Sequence, residues 1–190
     1  MEMNRSVFLD RDGTIVAEKN YLHRPEDVVV FPDAGAALKR LADAGFMLII
    51  VSNQSGVGRG YFTLADVDRV NERLANELAQ AGVRFEKIYI APEAPDKPSR
   101  GRKPSPQFLF DARKEFNLNL AESFMVGDKL IDLECGWNAG VKQSILVRTG
   151  YGAEVERSAA GKFASAVIVD DLKGMADWIL KSDSNLKIKI

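Results

Sequence analysis

The segment Phe46-Met47-Leu48-Ile49-Ile50-Val51, bounded by Gly45 and Ser52, contains no polar residue. A half-buried strand alternates apolar and polar positions, so an unbroken run of this kind belongs to a strand covered on both faces, as in a parallel sheet between two layers of helices. Val7-Phe8-Leu9 is a shorter run of the same character, closing on Asp10. Between the two, Asp33 is placed to cap a helix that carries Ala37, Leu38, Leu41 and Ala44 and ends at Gly45. After Thr63, the residues Leu64, Val67, Val70, Leu74, Leu78 and Ala81 recur at spacings of three and four up to Gly82, which is one apolar face of a helix. Ile88-Tyr89-Ile90 predicts a third strand, Pro106 a helix start with Ser105 as its cap, and Phe124-Met125-Val126 a fourth strand closing on Gly127-Asp128. A helix through Leu133 and Trp137 follows, then strands over Ser144–Val147 and Ala166–Val169 and a last helix through Met175 and Trp178. The expected fold class is α/β: a doubly wound, mostly parallel, Rossmann-like sheet with helices on both faces, forming one domain over residues 1–182. Residues 183–190 are expected to be a C-terminal tail, with Ser182 at its start.

Composition narrows the chemistry. With 46% apolar and 28% charged residues, the 190-residue chain has the make-up of an ordinary globule. Twenty-six basic residues against twenty-seven acidic ones give a formal net charge of −1, which argues against nucleic acid as a partner. Cys135 is the one cysteine and His23 the one histidine, so there is no internal disulfide and too few nitrogen and sulfur donors for a structural zinc site. The same counts remove Ser-His-Asp and Cys-His catalysis unless His23 itself is the base. His23 reads as an exposed loop residue and Cys135 as a small buried apolar one. No apolar run approaches the roughly 18 residues of a membrane span, and the N-terminal stretch turns polar too soon for a targeting segment. A cytoplasmic monomer with no membrane partner is expected.

The unusual residues fall at the carboxyl ends of the strands, where open α/β sheets bind ligands. These are Asp10 and Asp12 after the first strand, Ser52-Asn53-Gln54 after the second and Asp128 after the fourth, with Lys103 in the loop before the helix that Pro106 starts. Three carboxylates converging with a hydroxyl, amides and a lysine suit Mg²⁺ and a phosphate, because a hard cation takes oxygen ligands. Asp10 is placed to attack phosphorus, and Asp12 to protonate the leaving oxygen and then deprotonate water. Gly13 lets the chain turn away, and the Asp12 carbonyl is a further candidate metal ligand. Asp132 stands where it can orient Lys103 or the cation from behind. Each feature alone also has an ordinary explanation: turn aspartates, a flexible glycine-rich loop, a solvated lysine, a capping aspartate. The glycines of VSNQSGVGRG do not fit G-x-G-x-x-G, and Ser55 lacks the G-x-S-x-G setting of a hydrolase nucleophile.

In order, DxDGT, the strand-end S-N-Q, K-P and G-D-x-x-x-D resemble the four motifs of the haloacid dehalogenase-like phosphohydrolases, and the likeness runs from Val7 to about Trp178. Within that family, the strings FLDRDGTI, SNQSGVGRG, RKPSP and MVGDKLID look like those of phosphatases acting on heptose 1,7-bisphosphate, with histidinol-phosphate phosphatases as close relatives. The resemblance implies Asp10 as nucleophile, Asp12 as acid and base, and Asp10, Asp12 and Asp128 as Mg²⁺ ligands. It implies that Ser52, Asn53, Gln54, Ser55 and Lys103 hold the phosphate and that Arg102, Lys129 and the stretch Glu18 to Tyr21 contact a small phosphorylated sugar. It also implies a chain without a large cap domain. Many members carry a zinc loop, C-x-H then C-x-C, before R-K-P. Those places hold Ala91, Glu93, Ser99 and Gly101 here, so no zinc is expected. A signalling domain that only accepts phosphate is the reading from another class, and Asp12, able to turn over an aspartyl phosphate, speaks for an enzyme.

Overall fold

The computed structural model describes residues 3–158 and 165–183. Six strands form one parallel sheet in the order β3-β2-β1-β4-β5-β6: β1 (Arg5–Leu9), β2 (Phe46–Asn53), β3 (Lys87–Ala91), β4 (Phe124–Gly127), β5 (Gln143–Val147) and β6 (Ala166–Val169). Val7 pairs with Leu48 of β2 on one side and with Phe124 of β4 on the other. The chain therefore winds outward from β1 to β3, returns to β4 beside β1 and winds outward again. The reversal opens a crevice beyond the carboxyl ends of β1 and β4.

Seven helices accompany the described strands: α1 (Ala34–Asp43), α2 (Ser55–Gly58), α3 (Leu64–Ala79), α4 (Gln107–Phe116), α5 (Leu130–Ala139), α6 (Gly152–Ser158) and α7 (Leu172–Ser182). Two apolar layers show why β2 has no polar face. Leu48 and Ile50 join Val7, Leu9 and Val126 in a cluster with Leu38 and Leu41 of α1, Leu74 of α3 and Met175 of α7. Ile49 and Val51 point the other way, with Phe8 and Met125, onto Leu109 of α4 and Cys135 of α5. Leu48, Ile49, Ile50 and Val51 are at most 1% exposed, and burying each contributes about 1.5–3 kcal/mol.

Several local expectations change. β2 continues through Ser52 to Asn53, because both residues pair with β3. Asp33 precedes α1 but its side chain makes no capping bond; with φ −93° and ψ 0° it lacks the extended backbone that aims a capping oxygen at the helix. Pro106 is the N-cap of α4, and Ser105 Oγ instead accepts from Gln107 N–H at 3.3 Å. Thr63 and Asp66 form a reciprocal capping box at α3. At the C-terminus, α7 takes in Ser182, and Asp183 is buried and paired with Arg5 Nη1 at 2.6 Å. Both residues belong to the packed body; the rest of the expected tail lies outside the described residues. Among the described residues no helix is long and apolar enough to cross a membrane.

Candidate active site

β1 delivers Asp10 to the crevice, where its N–H donates to the Val126 carbonyl of β4 at 2.9 Å. The chain then folds back on itself, Ile15 and Val16 donating to the Arg11 carbonyl. Gly13 makes this turn at φ +84°, and a Cβ there would come 2.1 Å from Asp128 Oδ2. Only glycine combines that backbone with that approach. Gly150 closes the other side, where a Cβ would come 2.2 Å from the same oxygen.

The structure brings Asp10, Asp128 and Asp132 into one buried group, each offering a carboxylate oxygen within 4.8 Å of the others. Of the expected Asp10, Asp12 and Asp128, the first and the last contribute carboxylates here. The Asp12 carboxylate is drawn away by Arg11 Nη2 at 2.9 Å and Gln54 Nε2 at 2.8 Å. Arg11, fully buried, is itself anchored on Asn71 Oδ1 at 2.8 Å. Among the described residues no hydrogen bond ends on the Asp12 main-chain carbonyl. Asp132 joins the group through a capping geometry, its Oδ2 accepting from Lys129 N–H at 3.0 Å at the start of α5. Lys129, not Asp128, is therefore the N-cap residue.

Lys103, 2% exposed, reaches the centre of this group, with Nζ 2.5 Å from Asp10 Oδ1 and 2.6 Å from Asp132 Oδ1. Asn53 holds the lysine's backbone from both ends: its Oδ1 accepts from Lys103 N–H at 3.0 Å and its Nδ2 donates to the Lys103 carbonyl at 3.1 Å. Burial works against the Lys103 ammonium, but Asp10 and Asp132 outweigh it and hold the lysine above its ordinary pKa. Burial, then Asp10, push Asp128 up to about 8. Burial also raises Asp132, with Lys103 opposing. Lys129 resists its own burial through Asp10, Asp128 and Glu18 and titrates above an ordinary lysine. Asp128 Oδ2 accepts from Tyr151 N–H at 2.9 Å, while its buried Oδ1, 3.8 Å from Lys129 Nζ, has no hydrogen-bond partner among the described residues. Such an oxygen, on a carboxylate grouped with that of Asp10, fits a hard divalent cation.

Above this group opens a cavity of about 360 Å³ whose walls include Asp10, Asp12, Glu18, Tyr21, Asn53, Gln54, Ser55, Arg102, Lys103 and Lys129. Three of the expected residues, Lys19 among them, are not in the wall. Asp128 lies beneath it, fully buried, and Ser52 lies behind Gln54, whose Nε2 donates to Ser52 Oγ at 2.8 Å. Lys129 reaches across to Glu18 Oε2 at 3.1 Å and over the Tyr151 ring at 4.9 Å. Asn20 lies in the wall with Glu18 and Tyr21 of the expected stretch, whereas Tyr151, also in the wall, carried no signal in the sequence. Arg102 is lowered by burial and by the charge of Arg59, with Glu93 opposing. Its loop is braced by side chains: Ser99 Oγ donates to Glu93 Oε2 at 2.6 Å and accepts from Arg102 N–H at 3.2 Å, while Arg102 Nη1 donates to the Glu93 carbonyl at 3.3 Å.

The strand order, the acidic group under the switch point and the lysine within it define a hydrolase of the HAD-like class, a phosphatase. Family models agree: one described as HAD-hydrolase-like matches residues 101–175, and one described as polynucleotide kinase 3 phosphatase matches residues 6–133. The chain is 40% identical over 182 residues to the D-glycero-beta-D-manno-heptose-1,7-bisphosphate 7-phosphatase of Haemophilus ducreyi, covering 92% of this chain and 98% of that one. It is 40% identical over 167 residues to the D-glycero-D-manno-heptose-1,7-bisphosphate 7-phosphatase of Chlorobaculum tepidum, covering 81% and 83%. The crystal structure of D,D-heptose 1,7-bisphosphate phosphatase from B. bronchiseptica, complexed with magnesium and phosphate, superposes with a TM-score of 0.88 at 29% identity, covering 94% of this chain and 99% of that one. The chain belongs to the D-glycero-D-manno-heptose-1,7-bisphosphate 7-phosphatase family.

Proposed function

We propose that the chain removes the 7-phosphate of D-glycero-D-manno-heptose 1,7-bisphosphate in a Mg²⁺-dependent reaction through an aspartyl phosphate on Asp10. The observation that carries this reading is the buried group of Asp10, Asp128 and Lys103 opening into a pocket with Arg102 in its wall. Asp10, Asp128 and the Asp12 carbonyl would hold the cation. When bound, Mg²⁺ neutralises the acidic group and draws charge off the phosphoryl oxygens. The zinc-loop places hold no thiol or imidazole, so no zinc is expected.

The residues divide the work. A carboxylate oxygen of Asp10 bonds to phosphorus as the bond to the sugar oxygen breaks, and Asp12 gives that oxygen a proton. Asp12 then takes a proton from water, which displaces the phosphate from Asp10. Arg11 and Gln54 hold the Asp12 carboxylate in place for both transfers. Lys103 offsets the charge of the reacting phosphate, with Ser55 in the same wall, while Asn53 serves by holding the lysine, Gln54 by holding Asp12, and Ser52 by fixing the Gln54 amide.

Selectivity falls to the outer wall. Lys103 points into the acidic group while the adjacent Arg102 is half-buried in the pocket wall. A guanidinium there suits bidentate capture of a second phosphate and repels the cationic amine of histidinol phosphate. A polynucleotide end, the substrate class that one family match raises, fits poorly with a formal net charge of −1. The test is phosphate release from heptose 1,7-bisphosphate, histidinol phosphate and simple sugar monophosphates, with and without a chelator. The reading expects the bisphosphate to have the highest kcat/KM and all turnover to stop in EDTA. Preference for histidinol phosphate, or full activity in EDTA, rejects it.

A further inference from the structure

The chain's one histidine lies outside the chemistry above, on the loop that carries Glu18 and Tyr21 to the pocket. That loop has two successive left-handed residues that are not glycine, Asn20 at φ +32° and Tyr21 at φ +71°. Asparagine takes such a backbone readily, whereas a tyrosine does so only where its surroundings hold it. Tyr21 is held at both ends. Its carbonyl lies 2.8 Å from His23 Nδ1, and its ring packs edge-on against Tyr61 and Phe62, with centroids 5.0 and 6.4 Å away. His23 is half-buried, not exposed as its sequence setting implied, and stacks on Phe62 with centroids 5.2 Å apart and planes 5° from parallel. Gly56 lets the cluster close, since a Cβ there would come 2.2 Å from the Phe62 ring and 2.9 Å from that of Tyr21. The cluster thereby ties the loop after β1 to the loop after β2.

A carbonyl only accepts hydrogen bonds, so Nδ1 of His23 must carry a proton in every state that keeps this contact. We propose that His23 is a positioning residue for substrate recognition: stacked on Phe62, it donates Nδ1–H to the Tyr21 carbonyl and so holds Tyr21 in its left-handed conformation against the pocket. The consequence is affinity for the part of the substrate beyond the reacting phosphate. This rests on the reading that the pocket takes a phosphorylated sugar, and it leaves the chemistry at Asp10 untouched.

Two measurements test it. Long-range ¹H–¹⁵N spectra of the single imidazole, recorded without substrate, should show the Nδ1–H tautomer when the ring is neutral. A neutral ring protonated only at Nε2 overturns the proposal whatever the substrate. Kinetics then compare wild type with His23→Phe, which keeps the stack and loses the donor, and His23→Asn, whose amide nitrogen falls near Nδ1. His23→Phe should raise KM for heptose 1,7-bisphosphate about fivefold or more, the scale of one neutral hydrogen bond. Its kcat should stay within about twofold and its turnover of p-nitrophenyl phosphate should not change, as expected when only binding is lost. His23→Asn should recover most of the loss. A His23→Phe enzyme like wild type, equal losses on both substrates, or no recovery in His23→Asn each overturns the proposal. If wild type ignores the bisphosphate, the substrate reading alone fails, and the same KM comparison is read on whichever sugar phosphate wild type prefers.

Discussion

Replacing Asp128 by asparagine should make the metal-free protein more stable at mildly alkaline pH. Asp128 is fully buried, and its burial together with Asp10 raises its pKa from 3.8 to about 8. Between those two values the folded chain holds a proton that the unfolded chain has released, so the stability of the folded state falls as pH rises through the window. The slope is about 1.4 kcal/mol per pH unit, and the whole window is worth at most about 6 kcal/mol. Over the two units from about pH 6 to pH 8, wild type should lose about 2–3 kcal/mol, or about 5–10 °C in Tm for a chain of this size. Asparagine has the same shape and keeps an oxygen for Tyr151 N–H, now 2.9 Å from Asp128 Oδ2, but has no charge to bury. The raised Asp132 contributes a slope of the same sign in both proteins. Thermal melts in EDTA should therefore show the Asp128→Asn slope at half the wild-type value or less, and a higher Tm than wild type at about pH 8. Magnesium requires the ionised carboxylate, so its stabilisation of wild type should grow with pH and be small in the variant. Parallel pH profiles, or a variant less stable than wild type at that pH in EDTA, would refute the reasoning.

Asp10→Asn should abolish all turnover, while Asp12→Ala should still accumulate some phosphoenzyme on acid quench and release it about 10²–10⁴-fold more slowly than wild type; equal residual turnover in the two variants would contradict the division of roles. Arg102→Ala should lower kcat/KM for the bisphosphate about 10-fold or more, the scale of a charged hydrogen bond worth about 1.5–3 kcal/mol, and spare simple monophosphates. Comparable losses on both would remove Arg102 from selectivity. Elemental analysis of purified protein should find no stoichiometric zinc, and one tightly held zinc per chain would be decisive against that expectation.

The sheet was legible because burial on both faces leaves an unmistakable mark, as in Phe46 to Val51, and α3 because its apolar stripe and Thr63 agree about where it starts. α2 and α6 were not, since four and seven residues are too few to establish a helical period. Position along the chain told which residues reach the ends of β1 and β4, but not which way each carboxylate turns. That is decided by Arg11, a residue between two aspartates whose burial no local pattern announces, and it sends Asp12 to Gln54 while Asp132 turns in toward Lys103. Asp132 did carry a signal, three residues beyond Lys129 at a helix start, and that capping distance is what aims it inward.

The double clasp of Asn53 on the backbone of Lys103 separates two parts of the molecule that adjoin in sequence. Because β2 fixes the lysine, the stretch from Glu93 to Arg102 can be redrawn without moving the ammonium that serves the reaction. The stretch is a replaceable cassette. Loops of other lengths and contents, grafted between Pro92 and Lys103 with Asn53 kept, should redirect which phosphate esters are accepted while the turnover of small, unselective esters persists.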